Sequence, residues 1–301
     1  MDTSLAFDTS GNPAISYHDN TNHDLKYASY NGSSWNTTIV DSTGVVGQLS
    51  SFAFDASGNP AISYMDYNNM GIKYASFNGT TWNTTIVDSS TGGFDPSLAF
   101  DPISGNPSIA YSDSPNLKYT SFNGSTWNTT TVDSSGGSHT SLVFDSSGNP
   151  AISYQDGTPS QDGYPSPNLK YASFNGSSWN TTTIDSTVYT GLYTSLAFDT
   201  SGNPAISYYE SIPNNVLKYA SFNGSSWSTT TIDSAGESYT SLAFDTSGNP
   251  AISYYGNGDL KYAHLGSEAA PIPEPSTIAL LGSGLLGILG YGWRYRRFRK
   301  S

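Results

Sequence analysis

Residues 195–233 read SLAFDTSGNPAISYYESIPNNVLKYASFNGSSWSTTTID, and this stretch is one of six near-copies in a chain of 301 residues. The copies start near residues 4, 51, 97, 141, 195 and 241, and each carries a Gly-Asn-Pro core beginning at Gly11, Gly58, Gly105, Gly148, Gly202 or Gly248. Self-similar units of 43–54 residues stack into one body. Four short runs divide the unit: SLAFD (residues 4–8), PAISY (13–17), LKYASF (217–222) and WNTTTID (179–185). Alternation and enrichment in β-branched and aromatic residues mark all four as strands. The first joint, DTSGNP at residues 8–13, is a tight hairpin, because Gly supplies a positive φ and Asn tolerates one. The third joint, NGSSW at residues 175–179, opens on Asn-Gly, the strongest short hairpin signal. No stretch of the body has a helical period.

Four antiparallel strands repeated at roughly 45–50 residues predict an all-β, six-bladed β-propeller, with the fourth strand of each blade outermost. It occupies residues 1–265. The Trp-bearing fourth run occurs five times, at Trp35, Trp82, Trp127, Trp179 and Trp227, so the last blade is expected to be incomplete. The sequence opens at Met1, directly before the first run. Two expectations follow: a native N-terminus further upstream, carrying a signal peptide and a closing strand, or a sixth blade of three strands.

Net charge is −13 and unevenly spread. Residues 1–268 hold twenty Asp, three Glu and six Lys, while every Arg lies in the last eight residues. An acidic, Arg-free body excludes nucleic acid as a partner, since phosphates need a basic footprint. The absence of Cys excludes disulfides and thiolate chemistry. Aromatics make up 14% of the chain at fixed places in the repeat, enough buried area for a folded body despite its polar composition.

The joints are of two kinds. Those between runs one and two, and three and four, are nearly constant; those between runs two and three range from 5 residues (112–116) to 14 (155–168), and those between units also vary. In an up-and-down blade the variable joints share one face, the arrangement of a scaffold presenting binding loops. An acidic residue opens most of them: Asp19, Asp66, Asp113, Asp156 and Glu210. Two readings stand. The five form a ring for a divalent cation such as Ca2+ or for a polyol, or each caps its own loop through backbone N–H groups. No cofactor is firmly implied, and the identity of any metal stays open. Idiosyncratic residues on the variable joints, His139, Tyr193 and Tyr239 among them, suit carbohydrate or protein contact. The six lysines of the LKY runs are expected to pair between blades, and the Trp residues to pack there.

After a Pro-rich linker at residues 266–275, residues 276–293 form an apolar or small-residue run, followed by Arg294, Arg296, Arg297, Arg299 and Lys300. A run of this length fits a single transmembrane helix, and the cations place its C-terminal end in the cytoplasm. The triplet Pro273-Glu274-Pro275, the Gly-rich apolar span and the basic finish together resemble the PEP-CTERM sorting signal of Gram-negative bacteria, here at residues 273–300. That resemblance implies export, a transient inner-membrane anchor, recognition by an exosortase-type sorting enzyme, and a final place on the cell surface or in the extracellular matrix, with exopolysaccharide or surface protein as partner. The turn Ser173-Phe174-Asn175-Gly176-Ser177-Ser178-Trp179 resembles, one residue short, the Asp-box of sialidase-like propellers. Sialidases hold their substrate carboxylate with an arginine cluster. The Arg-free body therefore disfavours that activity, and the resemblance bears on the fold. The expected function is a non-enzymatic glycan- or protein-binding or matrix propeller. The alternative is an exported polysaccharide hydrolase or lyase using carboxylates on the variable face.

Overall fold

A computed structural model describes residues 3–264 and 266, except 90–91, 158–166, 188, 213 and 235–237. The span expected at 276–293, the sorting residues Pro273, Glu274, Pro275, Arg294, Arg296 and Arg297, and most of the long joint at 155–168 lie outside the described residues. Among the described residues no helix is long and apolar enough to cross a membrane.

The body is the expected all-β six-bladed propeller. Blade one runs β1 (Thr3–Phe7), β2 (Pro13–Asp19), β3 (Asp24–Tyr30) and β4 (Trp35–Asp41), paired antiparallel in that order. Blade two holds β5 (Val46–Phe54), β6 (Pro60–Asp66), β7 (Gly71–Phe77) and β8 (Trp82–Asp88). Blade three holds β9 (Gly93–Phe100), β10 (Pro107–Asp113), β11 (Asn116–Phe122) and β12 (Trp127–Asp133). Blade four holds β13 (Ser138–Phe144), β14 (Pro150–Gln155), β15 (Leu169–Phe174) and β16 (Trp179–Asp185). Blade five holds β17 (Leu192–Phe198), β18 (Pro204–Glu210), β19 (Val216–Phe222) and β20 (Trp227–Asp233). Blade six has three strands, β21 (Ser238–Phe244), β22 (Pro250–Gly256) and β23 (Asp259–His264).

Side-chain caps at the constant joints set the hairpins. In the first joint Asp8 Oδ1 accepts the Ser10 and Asn12 N–H groups at 2.8 Å each, and Gly11 sits at φ 81°. In the third joint Asn175 Oδ1 accepts the Ser177 and Ser178 N–H groups at 3.0 and 2.9 Å. These are local Asx caps, recurring in every unit that has the turn.

The core lies between blades. Each buried cluster takes second- and third-strand residues of one blade and first- and second-strand residues of the next, as with Ala14 and Leu25 against Phe52, Ile62 and Tyr64. Five such clusters join blades one to six in sequence. A polar relay runs alongside them. The fourth-strand Asp of one blade accepts the second-strand Tyr hydroxyl of the next: Tyr64 to Asp41 at 2.6 Å, Tyr111 to Asp88, Tyr154 to Asp133 at 2.6 Å, Tyr208 to Asp185 and Tyr254 to Asp233 at 2.7 Å. Lys73, Lys170, Lys218 and Lys261 reach the same carboxylates. Four of the six lysines thus pair between blades as expected, while Lys26 and Lys118 pair with Asp19 and Asp113 of their own blades. The Trp residues pack there too: Trp82 on Tyr27, Trp127 on Tyr74, Trp179 on Tyr119 and Trp227 on Tyr171, with ring centroids 5.2–5.3 Å apart.

Candidate functional site

The first strands line the propeller axis, and those of blades two to six begin with an irregularity. In blade four Ser138 pairs with Gln155 and Ser141 with Ser153, so two residues, His139 and Thr140, oppose the single Tyr154. The same bulge recurs in blades two, three, five and six. Its first residue is never Gly, yet it is left-handed each time: Leu49 at φ 51°, Asp95 at 49°, His139 at 53°, Tyr193 at 51° and Tyr239 at 53°. A non-Gly residue costs roughly 1–2 kcal/mol there. Such strain persists only where surrounding structure holds it, and it gathers at functional sites.

What holds it is visible. In blades four to six the hydroxyl at the second bulge position donates to the carbonyl of the preceding blade's first bulge residue. Thr140 reaches Asp95 O at 2.5 Å, Thr194 reaches His139 O at 2.8 Å and Thr240 reaches Tyr193 O at 2.8 Å. One residue pair on, the Leu98, Leu142, Leu196 and Leu242 N–H groups donate to Ser51, Ser97, Ser141 and Ser195 Oγ at 2.9–3.0 Å. The bulges are therefore fastened blade to blade around the axis, and their side chains turn into it.

The result is an axial cavity of about 680 Å3, lined by Leu49, Asp95, His139, Tyr193 and Tyr239 with Thr3 and the bulge hydroxyls. His139 and Tyr193 lie 4.8 Å apart by ring centroid, and Tyr193 and Tyr239 4.5 Å apart, giving a continuous aromatic wall. Asp95 Oδ2 accepts the His139 backbone N–H at 3.0 Å. Burial pulls the His139 imidazole below its ordinary range against the opposing pull of the Asp95 carboxylate, so it is neutral at pH 7. Burial and then the Tyr239 hydroxyl push the Tyr193 phenol up, keeping it protonated as a hydrogen-bond donor. None of the described lining residues is Lys or Arg.

Three of the expected ligand residues, His139, Tyr193 and Tyr239, are thus brought together. They sit in the bulged starts of first strands rather than in loops, because these strands begin at Ser138, Leu192 and Ser238, three residues before the SLVF or SLAF run. Leu49 and Asp95 complete the wall and were not among the expected residues. Aligning the position two before the Ser of SLAF would have exposed both, since the units diverge there and agree from that Ser onward.

The acidic residues of the variable joints lie elsewhere, and none lines the cavity. Each is engaged by its own joint or lysine. Asp19 accepts the Thr21 N–H at 2.9 Å and pairs with Lys26 at 2.5 Å. Asp66 accepts the Asn69 amide at 2.9 Å. Asp113 lies 3.7 Å from Lys118. Asp156 accepts the Asn168 N–H at 2.8 Å and lies 3.4 Å from Lys170. Glu210 binds Asn214 at 2.9 Å and Lys218 at 3.0 Å. Among the described residues no three His, Asp or Glu gather closely enough to hold a metal ion.

Residues 271–297 match the model of the PEP-CTERM protein-sorting motif. No curated protein sequence matches this one. Solved structures do share the fold. A Dyadobacter fermentans protein of unknown function superposes with a TM-score of 0.62 at 11% identity, over 87% of this chain and 92% of its own. A mutant of the Aleuria aurantia lectin, in complex with Fucalpha1-6GlcNAc, gives 0.56 at 13% identity over 89% and 97%. An ulvanlyase, a polysaccharide lyase bound to -[GlcA(1-4)Rha3S]-, gives 0.59 at 13% identity over 88% and 79%. The chain carries a PEP-CTERM sorting signal, which implies export and membrane-associated sorting, on a six-bladed propeller with lectin and lyase neighbours.

Proposed function

We propose that the protein is an exported surface or matrix propeller that binds a neutral glycan in its axial cavity without transforming it. The observation that carries this reading is the wall of His139, Tyr193 and Tyr239 held in strained backbone beside Asp95. Flat rings offer their faces to the C–H surface of a sugar, and a carboxylate beside them accepts from a pair of hydroxyls. The cavity has the volume of a small-ligand site. Its lack of Lys and Arg argues for uncharged sugars over uronates or sialic acids, whose carboxylates need a cationic partner. Glycan-binding neighbours of the same fold support the ligand class.

The reading of a hydrolase or lyase on the variable face has less behind it. Its carboxylates are engaged by Asn and Lys side chains, and Asp95 is the one carboxylate among the described lining residues of the cavity, where hydrolysis of a glycoside needs two. In the proposed function Asp19, Asp66, Asp113, Asp156 and Glu210 shape the rim loops around the cavity mouth. After export, the sorting signal is the substrate of an exosortase-type enzyme at the inner membrane.

The test is a glycan array probed with the full chain and with the Tyr193→Ala/Tyr239→Ala variant, with and without calcium. The expected result is calcium-independent capture of neutral oligosaccharides, weakened about tenfold or more by the variant at unchanged circular dichroism, and no cleavage of the captured sugar. Equal capture by both proteins, or none by the native one, sinks the cavity as the site.

A further inference from the structure

Five interblade contacts follow one design, and the sixth is open. The first-strand apolar residues Phe52, Leu98, Leu142, Leu196 and Leu242 are 4–7% exposed, but their counterpart Leu5 in blade one is 56% exposed. The third-strand residues Leu25, Ile72, Leu117, Leu169 and Leu217 are fully covered, but Leu260 in blade six is 84% exposed. Phe7 and Tyr262 lie exposed on the same two sides. Among the described residues no buried cluster joins blade six to blade one.

The polar relay stops at the same place. The second-strand Tyr of blades two to six gives its hydroxyl to the fourth-strand Asp of the blade before. Tyr17 in blade one has no such Asp among the described residues, and Lys26 turns back to Asp19 of its own blade. On the other side, Tyr27, Tyr74, Tyr119 and Tyr171 each carry the Trp of the following blade. Tyr219 in blade five carries none. Both gaps correspond to one element that the described residues do not supply, the fourth strand of blade six, whose place is the outer edge of β23.

We propose that this seam is a strand-acceptor site, and that its occupant is an extended segment of the repeat's own fourth-run chemistry, Trp-x-Thr-Thr-Thr-Ile-Asp or its Val variant. The five filled sites show what such a strand brings. Its indole covers Tyr219. Its Ile or Val packs toward blade one, as Val40, Val87, Val132, Ile184 and Ile232 pack toward their following blades. Its Asp takes the Tyr17 hydroxyl and the Lys26 ammonium, and its main chain pairs with β23. Main-chain pairing supplies affinity and the alternate side chains supply register, as in other strand additions. A second folded copy does not meet these terms, since its own fourth strands are already paired on their inner edge and engaged with their neighbours.

A labelled peptide of residues 223–234, NGSSWSTTTIDS, titrated with the full chain in detergent, tests this. Saturable binding is expected. Peptides altered as Trp227→Ala or Asp233→Asn bind about tenfold more weakly, one lost anchor each. The Tyr17→Phe and Lys26→Met proteins also lose about tenfold for the native peptide, but they lose nothing further with the Asp233→Asn peptide, because the two changes remove one interaction. Tyr17→Phe is conservative enough to keep the fold if Lys26→Met does not. No saturable binding, equal binding of a scrambled peptide, purely additive losses, or a dimer of the chain that saturating peptide fails to dissociate would each overturn the proposal.

Discussion

The fourth-strand Asp is the residue on which most of this molecule's electrostatics turns. Burial of Asp41 works to raise its pKa, but the Lys73 ammonium and the Thr43 and Tyr64 hydroxyls outweigh it and hold the carboxyl at about 2. Asp133 is likewise at about 2, its burial outweighed by Tyr154, Ser135 and Lys170. Asp185 is lowered by Lys218, Thr187 and Tyr208 against its burial. The partner phenols move the other way: burial and then Asp233 push Tyr254 up to about 12. A carboxylate whose folded pKa is depressed stabilises the fold above its unfolded value of about 3.9, and that contribution is lost as pH falls through the folded value. The urea midpoint is therefore expected to fall between about pH 4 and pH 2 on account of these residues. Asp185→Asn, which leaves Lys218 and Tyr208 short of a charged acceptor, is expected to cost about 3 kcal/mol at pH 7. Its deficit against the native chain narrows as pH falls below the unfolded value and through the lowered folded one. A constant deficit across that range would show that the Asp acts by shape alone.

At the scale of the element, the bulged first strand converts a repeat into a site. Regular pairing would send alternate residues to alternate faces of the blade. The extra residue breaks that alternation and turns one side chain per blade toward the axis. The joint feeding the bulge is equally constrained. A Cβ on Gly137 would lie 2.6 Å from the Leu117 Cα and 2.8 Å from its Cβ, so the joint runs against the third strand of the preceding blade with no room between. Gly137→Ala is expected to destabilise by about 1–3 kcal/mol, as overpacking does, read as a lower denaturation midpoint at unchanged slope. Because the same joint positions His139, this variant also weakens any ligand of the axial cavity.

At the scale of the whole molecule, the propeller behaves as a row of blades with two open flanks. The second strands β6 and β18 are buried throughout, and β10 and β14 nearly or fully so, while β2 and β22 at the flanks are only partly covered. Stability in stacked repeats is close to a sum of unit and interface terms, so a blade with one interface opens more often than a blade with two. Amide hydrogen exchange in β2 and β22 is expected to outpace that in β6, β10, β14 and β18 by about tenfold, the factor that about 1–2 kcal/mol of absent interface energy gives. Uniform protection across all six blades would show a ring closed in solution.

Fold, blade count, strand order, an incomplete last blade and the interblade pairing of four of the six lysines with Asp were legible in the sequence. Each is a periodic property, and a repeat states its periods six times over. The sorting signal was legible because its chemistry is contiguous: a triplet, an apolar span and a basic end. The axial cavity was not, because its residues come from all six blades, each separated by a full unit, and meet only when the first strands converge on one axis. Its conformation was hidden for a related reason. Nothing local asks Leu49, Asp95, His139, Tyr193 or Tyr239 for a left-handed backbone; at Asp95, His139 and Tyr193 the next blade's Thr hydroxyl fastens it. The open seam belongs to the tertiary structure as well. A missing run can be counted in a sequence, but which Tyr, Lys and Leu are left wanting it depends on which blades stand side by side.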